Sequence, residues 1–521
     1  MHEDFITETE ATFEVREEGY VRVSYSIVIE NLKTERFAKS FKFSLGELAP
    51  TRIKAFDQEG ELGTRIVKSG NETLVEVGFR DAVVGQGKRR QFSLEFRDDS
   101  LIKRIGQVWE INLPRRKEDI FGKYTLQLVV PANFQSEAFV TPRADSVLAT
   151  RDSRIYVFSG EDVRERGVTA AFGSFQVYTF SLRYEAGERE ILIPPDTAFQ
   201  KVIYEEIIPE PENVGRDEEG NWVAIFGGDN GAAIEVRGHA QLFAVPRPFF
   251  VPEEKDLNKN LVSGHGAPGE IVFNNPREVY DFVVSEKKSV EEFISLAKVS
   301  GIPARAAFGW ADAASSKTHP LNYASGKLHS WAEYFDPARK AWIGVDPSWA
   351  ASSGGDYYAE SDLRHVVFSA GKEGSLPVEA SLSLSVLPPE REEAPMIRTV
   401  ATPKLFAGSR KSVVEISNPG PVALYDRAVE VLFDGRVVDT IIMPELLPYS
   451  KQEIGLSVPV GILGSRAPNE VLVRYAGAQH ALGIDRYTQT LTQLAVILTL
   501  ILAASLILFR KTGFLGGKLL K

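Results

Sequence analysis

The sequence predicts a mainly β protein with one α+β domain and a single apolar span near its C-terminal end. Three observations carry that prediction. Short runs rich in Val, Ile, Phe and Tyr alternate with polar residues along most of the chain, punctuated by Gly, Asn, Asp and Pro. Amphipathic helical patterning is concentrated in one stretch that ends at GIPAR, residues 301–305. Leu491–Phe509, LTQLAVILTLILAASLILF, runs 19 residues without a charge. As a helix it is about 28 Å long, close to the thickness of a bilayer core.

At 521 residues the chain exceeds what one core serves, so roughly three or four domains are expected. The net charge is -11 and no basic stripe is present, which leaves nucleic-acid binding without electrostatic support. The absence of cysteine excludes disulfides, Cys-ligated zinc, iron–sulfur clusters and thiol catalysis.

Residues 1–185 read as an N-terminal β-sandwich region. ATFEVREEGYVRVSYSIVIENL alternates with period two about a Glu18–Gly19 hairpin turn, and TLVEVGFR, RQFSLEFRD, YTLQLVVP and VYTFSLRYE continue the pattern. Residues 186–245 form a further β-rich segment. Its acidic cluster Asp217, Glu218 and Glu219 reads as a hairpin turn with Gly220–Asn221, because the spacing is not that of an EF-hand loop. PRPFFVPEEKD leads into the α+β domain, 246–385, where NPREVYDFVVSEKK and SVEEFISLAKVS read as amphipathic helices. LPPEREEAPM opens an immunoglobulin-like β-sandwich, 386–486, with turn signals at Asn418–Pro419–Gly420 and Asp434–Gly435.

A transmembrane helix is expected over 489–510, followed by a short basic tail, 511–521. Arg510, Lys511, Lys518 and Lys521 face no acid there, so the positive-inside rule puts the tail in the cytoplasm and the bulk of the chain outside it. MHEDFITETE has neither a basic n-region nor an apolar h-region. That topology therefore expects a signal removed upstream of the given start; a tail anchor with a cytoplasmic bulk is the alternative.

The chemistry concentrates in GIPAR, then LHSWAEYF at 328–335, then AWIGVDPSW at 341–349. His329 and Asp346 stand 17 residues apart, a separation that fits two antiparallel strands joined by the DPARK turn. Over roughly residues 270 to 370 this block resembles the transglutaminase-like superfamily, a branch of the papain-like fold. The resemblance implies β-sandwich modules flanking a transglutaminase-like domain. It also implies a Cys nucleophile at a helix start, a His base on a following strand and an Asp on the next. Carried over by motif, His329 is the base and Asp346 its carboxylate, with Trp331 and Trp349 packed beside them. Strand alternation puts Glu333 on the side of Trp331.

The thiol is missing. Counting back from Gly301 without a gap puts Glu286 in its place, matching Glu292–Phe293 to the family's acid–aromatic pair puts Val290 there, and a shorter gap puts Ser289 there. Ser289 reads two ways. Ser289-Val290-Glu291-Glu292 is a capping box, while Ser289 with His329 and Asp346 would be a Ser–His–Asp set. His329 in turn reads either as a base or as a half-buried structural histidine bonded to Asp346.

Four of the six tryptophans, Trp310, Trp331, Trp342 and Trp349, gather in this block, as either a wrapped core or an aromatic groove for peptide or glycan. Trp310, Trp331, Glu333 and Trp349 are the cleft-lining candidates. Arg305 reads as one arm of an ion pair. His319 and His365 are the histidines that would join His329 around a metal, but no HxxxH spacing supports this, and no metal or other cofactor is expected. The whole reads as a prokaryotic, single-pass, membrane-anchored cell-envelope protein. Its transglutaminase-like domain is a pseudoenzyme with a binding or structural role toward protein, peptide or cell-wall material. The alternative is a hydrolase or acyl transferase using Ser289, His329 and Asp346.

Overall fold

The structure is a computed structural model. It describes the chain except residues 1–3, 47, 49, 70–71, 116–120, 228–230, 249–256, 258–270, 313–326, 359–361, 372–373, 375, 389–394, 402–407, 461–466, 484–485 and 517–521. The protein is mainly β, built from several sheets, with one long apolar helix toward its C-terminal end.

In the N-terminal region Phe5–Arg16 and Tyr20–Asn31 form the expected hairpin, and Gly19 supplies the left-handed turn residue at φ 84°. Alternate residues are buried along both strands, which fixes their register: a slip of one would turn Phe13, Val15, Val21 and Val23 to solvent. Phe5–Arg16 also pairs in parallel with Phe121–Pro131, inside a ten-stranded sheet. A four-stranded sheet of Ile102–Ile105, Val108–Leu113, Glu137–Thr141 and Val168–Phe172 adds Ile111, Leu113 and Phe172 to the same core.

Phe175–Tyr184 lies in a different sheet. It pairs on one side with Ile234–Phe243 and on the other with Glu379–Leu384. The chain thus leaves this sheet after Phe243, builds the α+β domain, and returns to supply the edge strand. Glu190–Ile193, Asn213–Arg216 and Trp222–Ile225 form a three-stranded sheet beside it. The acidic cluster is a turn: Asp217 Oδ1 accepts the N–H groups of Glu219 and Asn221, and Gly220 takes φ 91°.

The α+β domain begins with the helix Pro276–Ser285, whose N-cap Asn275 accepts the N–H of Glu278 and whose first residue is proline. The second helix, Val290–Val299, turns Val290, Phe293 and Ala297 inward at helical spacing. Both helices share one core with Trp222 and Tyr204 of the preceding module. An antiparallel sheet follows in the order Ala341–Val345, Lys327–Asp336, Ala304–Ala311, His365–Ala370. The last of these is an edge strand, and the preceding module caps it. Gln200 bonds both the N–H and the carbonyl of Val367, and Asn221 does the same for Ala370, at 2.7–3.0 Å.

Strands between Met396 and Leu482 form two further sheets over a core containing Val414, Ile416, Val431 and Tyr475. Arg216 joins them to the middle module through both carboxylate oxygens of Glu445. The helix Arg486–Gly516 contains a window, Gln493–Arg510, of mean hydropathy 2.2 with none of it buried. It is long and apolar enough to cross a membrane.

Candidate functional site: a carboxylate shared by two histidines

His329 sits on the strand Lys327–Asp336, directly opposite Gly309. A Cβ on Gly309 would lie 1.9 Å from the Val366 carbonyl oxygen, so only glycine lets the edge strand approach here. The pairing of these strands shifts register between Phe308 and Gly309. This local irregularity sets where His365 enters the sheet.

Asp346 ends the neighbouring strand and caps the helix Pro347–Ser353. Its Oδ1 accepts the N–H of Trp349 at 3.0 Å and the hydroxyl of Ser348 at 2.6 Å. Its Oδ2 faces two imidazoles, His329 Nε2 at 2.6 Å and His365 Nε2 at 3.3 Å. His365 Nδ1 lies 2.9 Å from Asp362 Oδ1. The order is therefore Asp362, His365, Asp346, His329. Asp346 is 3% exposed. The His329 ring stacks on Trp349 at 5.4 Å and on Trp331 at 6.1 Å, and His365 lies 4.5 Å from Trp349 and 4.9 Å from Trp331, so indole walls enclose the polar chain.

Burial alone would raise the Asp346 carboxyl, but the hydrogen bonds from His329 and His365 outweigh it and hold it well below the usual carboxylate range. Burial alone would lower His365, but the charges and hydrogen bonds of Asp362 and Asp346 prevail and push it up to about 10.

The opposite half of the expected site is built differently. Ser289 is the N-cap of Val290–Val299, its Oγ accepts the Glu292 N–H at 3.3 Å, and Glu292 Oε2 accepts the Ser289 N–H at 3.2 Å. Both halves of a capping box are therefore present. Val290 is 6% exposed and lies in the main core. Glu286 is exposed and forms the C-cap of the preceding helix.

Glu333 pairs with Arg305 at 2.8 Å, and that guanidinium lies 4.1 Å above the Trp342 ring and donates to the Glu219 carbonyl. Trp331 packs with Ala307 and Val367 in a small cluster of its own, whereas Trp310 belongs to the main core, edge-on to Tyr178 at 5.7 Å. His319 lies outside the described residues. Asp362 was not singled out from sequence. Its signal is modest, a carboxylate three residues before a histidine at a strand start, and only the fold reveals that this pair meets Asp346.

Residues 288–347 match the Transglutaminase-like superfamily, so the chain carries a domain of that class, and it does so without a cysteine. No curated protein matches the chain significantly. Among solved structures, the M1 zinc metallopeptidase from Deinococcus radiodurans aligns at 9% identity and TM-score 0.23, over 36% of this chain and 46% of that one. Yeast LTA4 hydrolase aligns at 11% identity and TM-score 0.23, over 34% and 30%. A "putative protease" from Parabacteroides distasonis ATCC 8503 aligns at 9% identity and TM-score 0.21, over 69% and 72%. The chain thus spans less than half the length of the metallopeptidase, and overlaps this weak carry no functional argument.

Proposed function

We propose that this chain is a single-pass, membrane-anchored protein of a prokaryotic cell envelope. Its transglutaminase-like domain binds peptide or cell-wall material, or braces the modules around it, without acyl transfer. The observation that carries this reading is Val290. It occupies the position that the Glu292–Phe293 match assigns to the nucleophile, and it is an apolar core residue. A scaffold that activates a thiolate at a helix N-terminus here offers a side chain that cannot be activated. The neighbouring hydroxyl of Ser289 accepts a backbone N–H in the capping box. The proposed orientation, tail in the cytoplasm and β-modules outside, is supported by the basic residues flanking and following the span, Arg510, Lys511, Lys518 and Lys521, through the positive-inside rule.

The test uses the full chain in detergent. It is expected to give no labelling by a serine-reactive fluorophosphonate and no amide crosslinking or cleavage of peptide substrates, while sedimenting with cell-wall fragments or binding immobilised peptides. Labelling that disappears in Ser289→Ala, or turnover that disappears in His329→Ala, would overturn it in favour of the Ser289, His329 and Asp346 hydrolase.

A further inference from the structure

We infer that His329, Asp346 and His365 form a binding site for a divalent transition ion of the Zn2+ or Fe2+ type, with Asp362 orienting one of its ligands. The inference stands apart from the binding role proposed above, since either could hold without the other.

Four observations carry it. The donor atoms of the three residues lie within 4.8 Å of one another. Both imidazoles present Nε2 to the same oxygen, Asp346 Oδ2. Ligands about 2.0–2.1 Å from a tetrahedral metal sit about 3.3 Å apart, and His365 Nε2 already stands 3.3 Å from Oδ2. His329, at 2.6 Å, needs only a small withdrawal. The other carboxylate oxygen, Oδ1, is held by the Trp349 N–H and the Ser348 hydroxyl, so Oδ2 is the oxygen left facing the imidazoles.

The surroundings match those of a metal ligand. Asp362 Oδ1 on His365 Nδ1 fixes the ring with Nε2 toward the centre, the carboxylate–histidine arrangement that supports metal-ligating imidazoles. Asp362 is 8% exposed, and its second oxygen is buried with no hydrogen-bond partner among the described residues. Two nitrogens and one oxygen suit zinc or ferrous iron, whereas Mg2+ and Ca2+ prefer oxygen throughout. Three protein ligands leave a coordination position for water or a ligand group. Indole walls around the cluster restrict solvent.

The experiment takes the full chain in detergent, strips it with a chelator and titrates Zn2+ by calorimetry, then repeats the titration with Co2+ read by visible absorption. One equivalent is expected to bind. X-ray absorption of the zinc form is expected to show at least two imidazole ligands, a readout that needs no variant. His365→Ala and His329→Ala should each weaken binding at least tenfold, and Asp362→Asn by about 10- to 100-fold. Absence of stoichiometric uptake overturns the inference. So does a zinc spectrum without paired imidazoles, or an affinity unchanged in variants that circular dichroism shows to be folded.

Discussion

The two halves of the transglutaminase-like site have met different fates. On the sheet side, His329 and Asp346 keep the geometry of a base and its carboxylate. On the helix side, the residues proposed to stand where the family has its nucleophile are a capping box followed by a core valine. The difference teaches what each residue is needed for besides chemistry. Asp346 caps the helix Pro347–Ser353, bonds two imidazoles and directly follows the outer strand Ala341–Val345. Removing it would undo several structures at once. At the start of Val290–Val299, by contrast, Val290 contributes apolar surface to the core.

The comparison breaks most visibly at Asp346. Asp346→Ala strips the helix cap and leaves the His365 imidazolium buried with one partner fewer. Breaking a buried pair from one side costs about 3–5 kcal/mol, and the unfolding midpoint in urea should fall accordingly. A loss below about 1 kcal/mol would mean that the carboxylate is not the keystone described.

The pH response comes next. In the metal-free protein the charges and hydrogen bonds of Asp362 and Asp346 push the folded-state His365 up to about 10, from 6.5 for the free side chain. A raised value means the contribution of the imidazolium is complete below the unfolded value and fades as pH climbs through the folded one. Thermal stability should therefore decline across that interval, and His365→Gln should flatten the decline. Asp346 works in the other direction: its depressed carboxyl adds stability above the ordinary carboxylate range that is lost on strong acidification. An unaltered alkaline slope in His365→Gln would place the titrating group elsewhere.

Gly309→Ala tests the strand approach on which the His365 position depends. The new methyl would meet the Val366 carbonyl oxygen, a backbone atom, at 1.9 Å, so relief requires moving the edge strand. About 1–3 kcal/mol of destabilisation is expected, with weakened His365–Asp346 contact visible as altered imidazole NMR shifts. Ser289→Ala is milder. Loss of an N-cap costs about 1 kcal/mol, with no accompanying loss of any peptide or cell-wall binding.

Much of this was legible beforehand, for physical reasons. Strand alternation betrays a half-buried sheet directly, so ATFEVREEGYVRVSYSIVIENL showed both its strands and its Gly19 turn. The capping box at Ser289 is a local interaction written in four consecutive residues. The His329–Asp346 pair was accessible through the motif resemblance, with which the one short turn between their strands agrees. What stayed hidden is non-local. Phe175–Tyr184 looks continuous with the strands before it, yet its partners lie at Ile234–Phe243 and Glu379–Leu384, and no local pattern encodes that pairing. His365 reaches Asp346 only because its strand joins the far side of Ala304–Ala311 and is clamped there by Gln200 and Asn221. Periodicity reports which face a residue takes, and says nothing about which distant strand it meets.

The sharpest probe of the difference between the two halves has a small expected effect on stability. Because the chain lacks cysteine, Val290→Cys creates a single thiol at the position that the Glu292–Phe293 match assigns to the family's nucleophile. Valine and cysteine are close in size, and a cost below about 1.5 kcal/mol is expected. Val290 is buried among apolar residues, surroundings that raise a thiol's pKa and suppress the thiolate. Iodoacetamide should therefore modify Cys slowly, and at the same rate with His329→Ala added. Fast alkylation that depends on His329 would show that the helix end still faces the imidazole. In that event the loss of chemistry would amount to one missing sulfur. The slow, His329-independent rate expected here would place the difference from the proposed nucleophile site in the helix start itself, which is given over to capping and core packing.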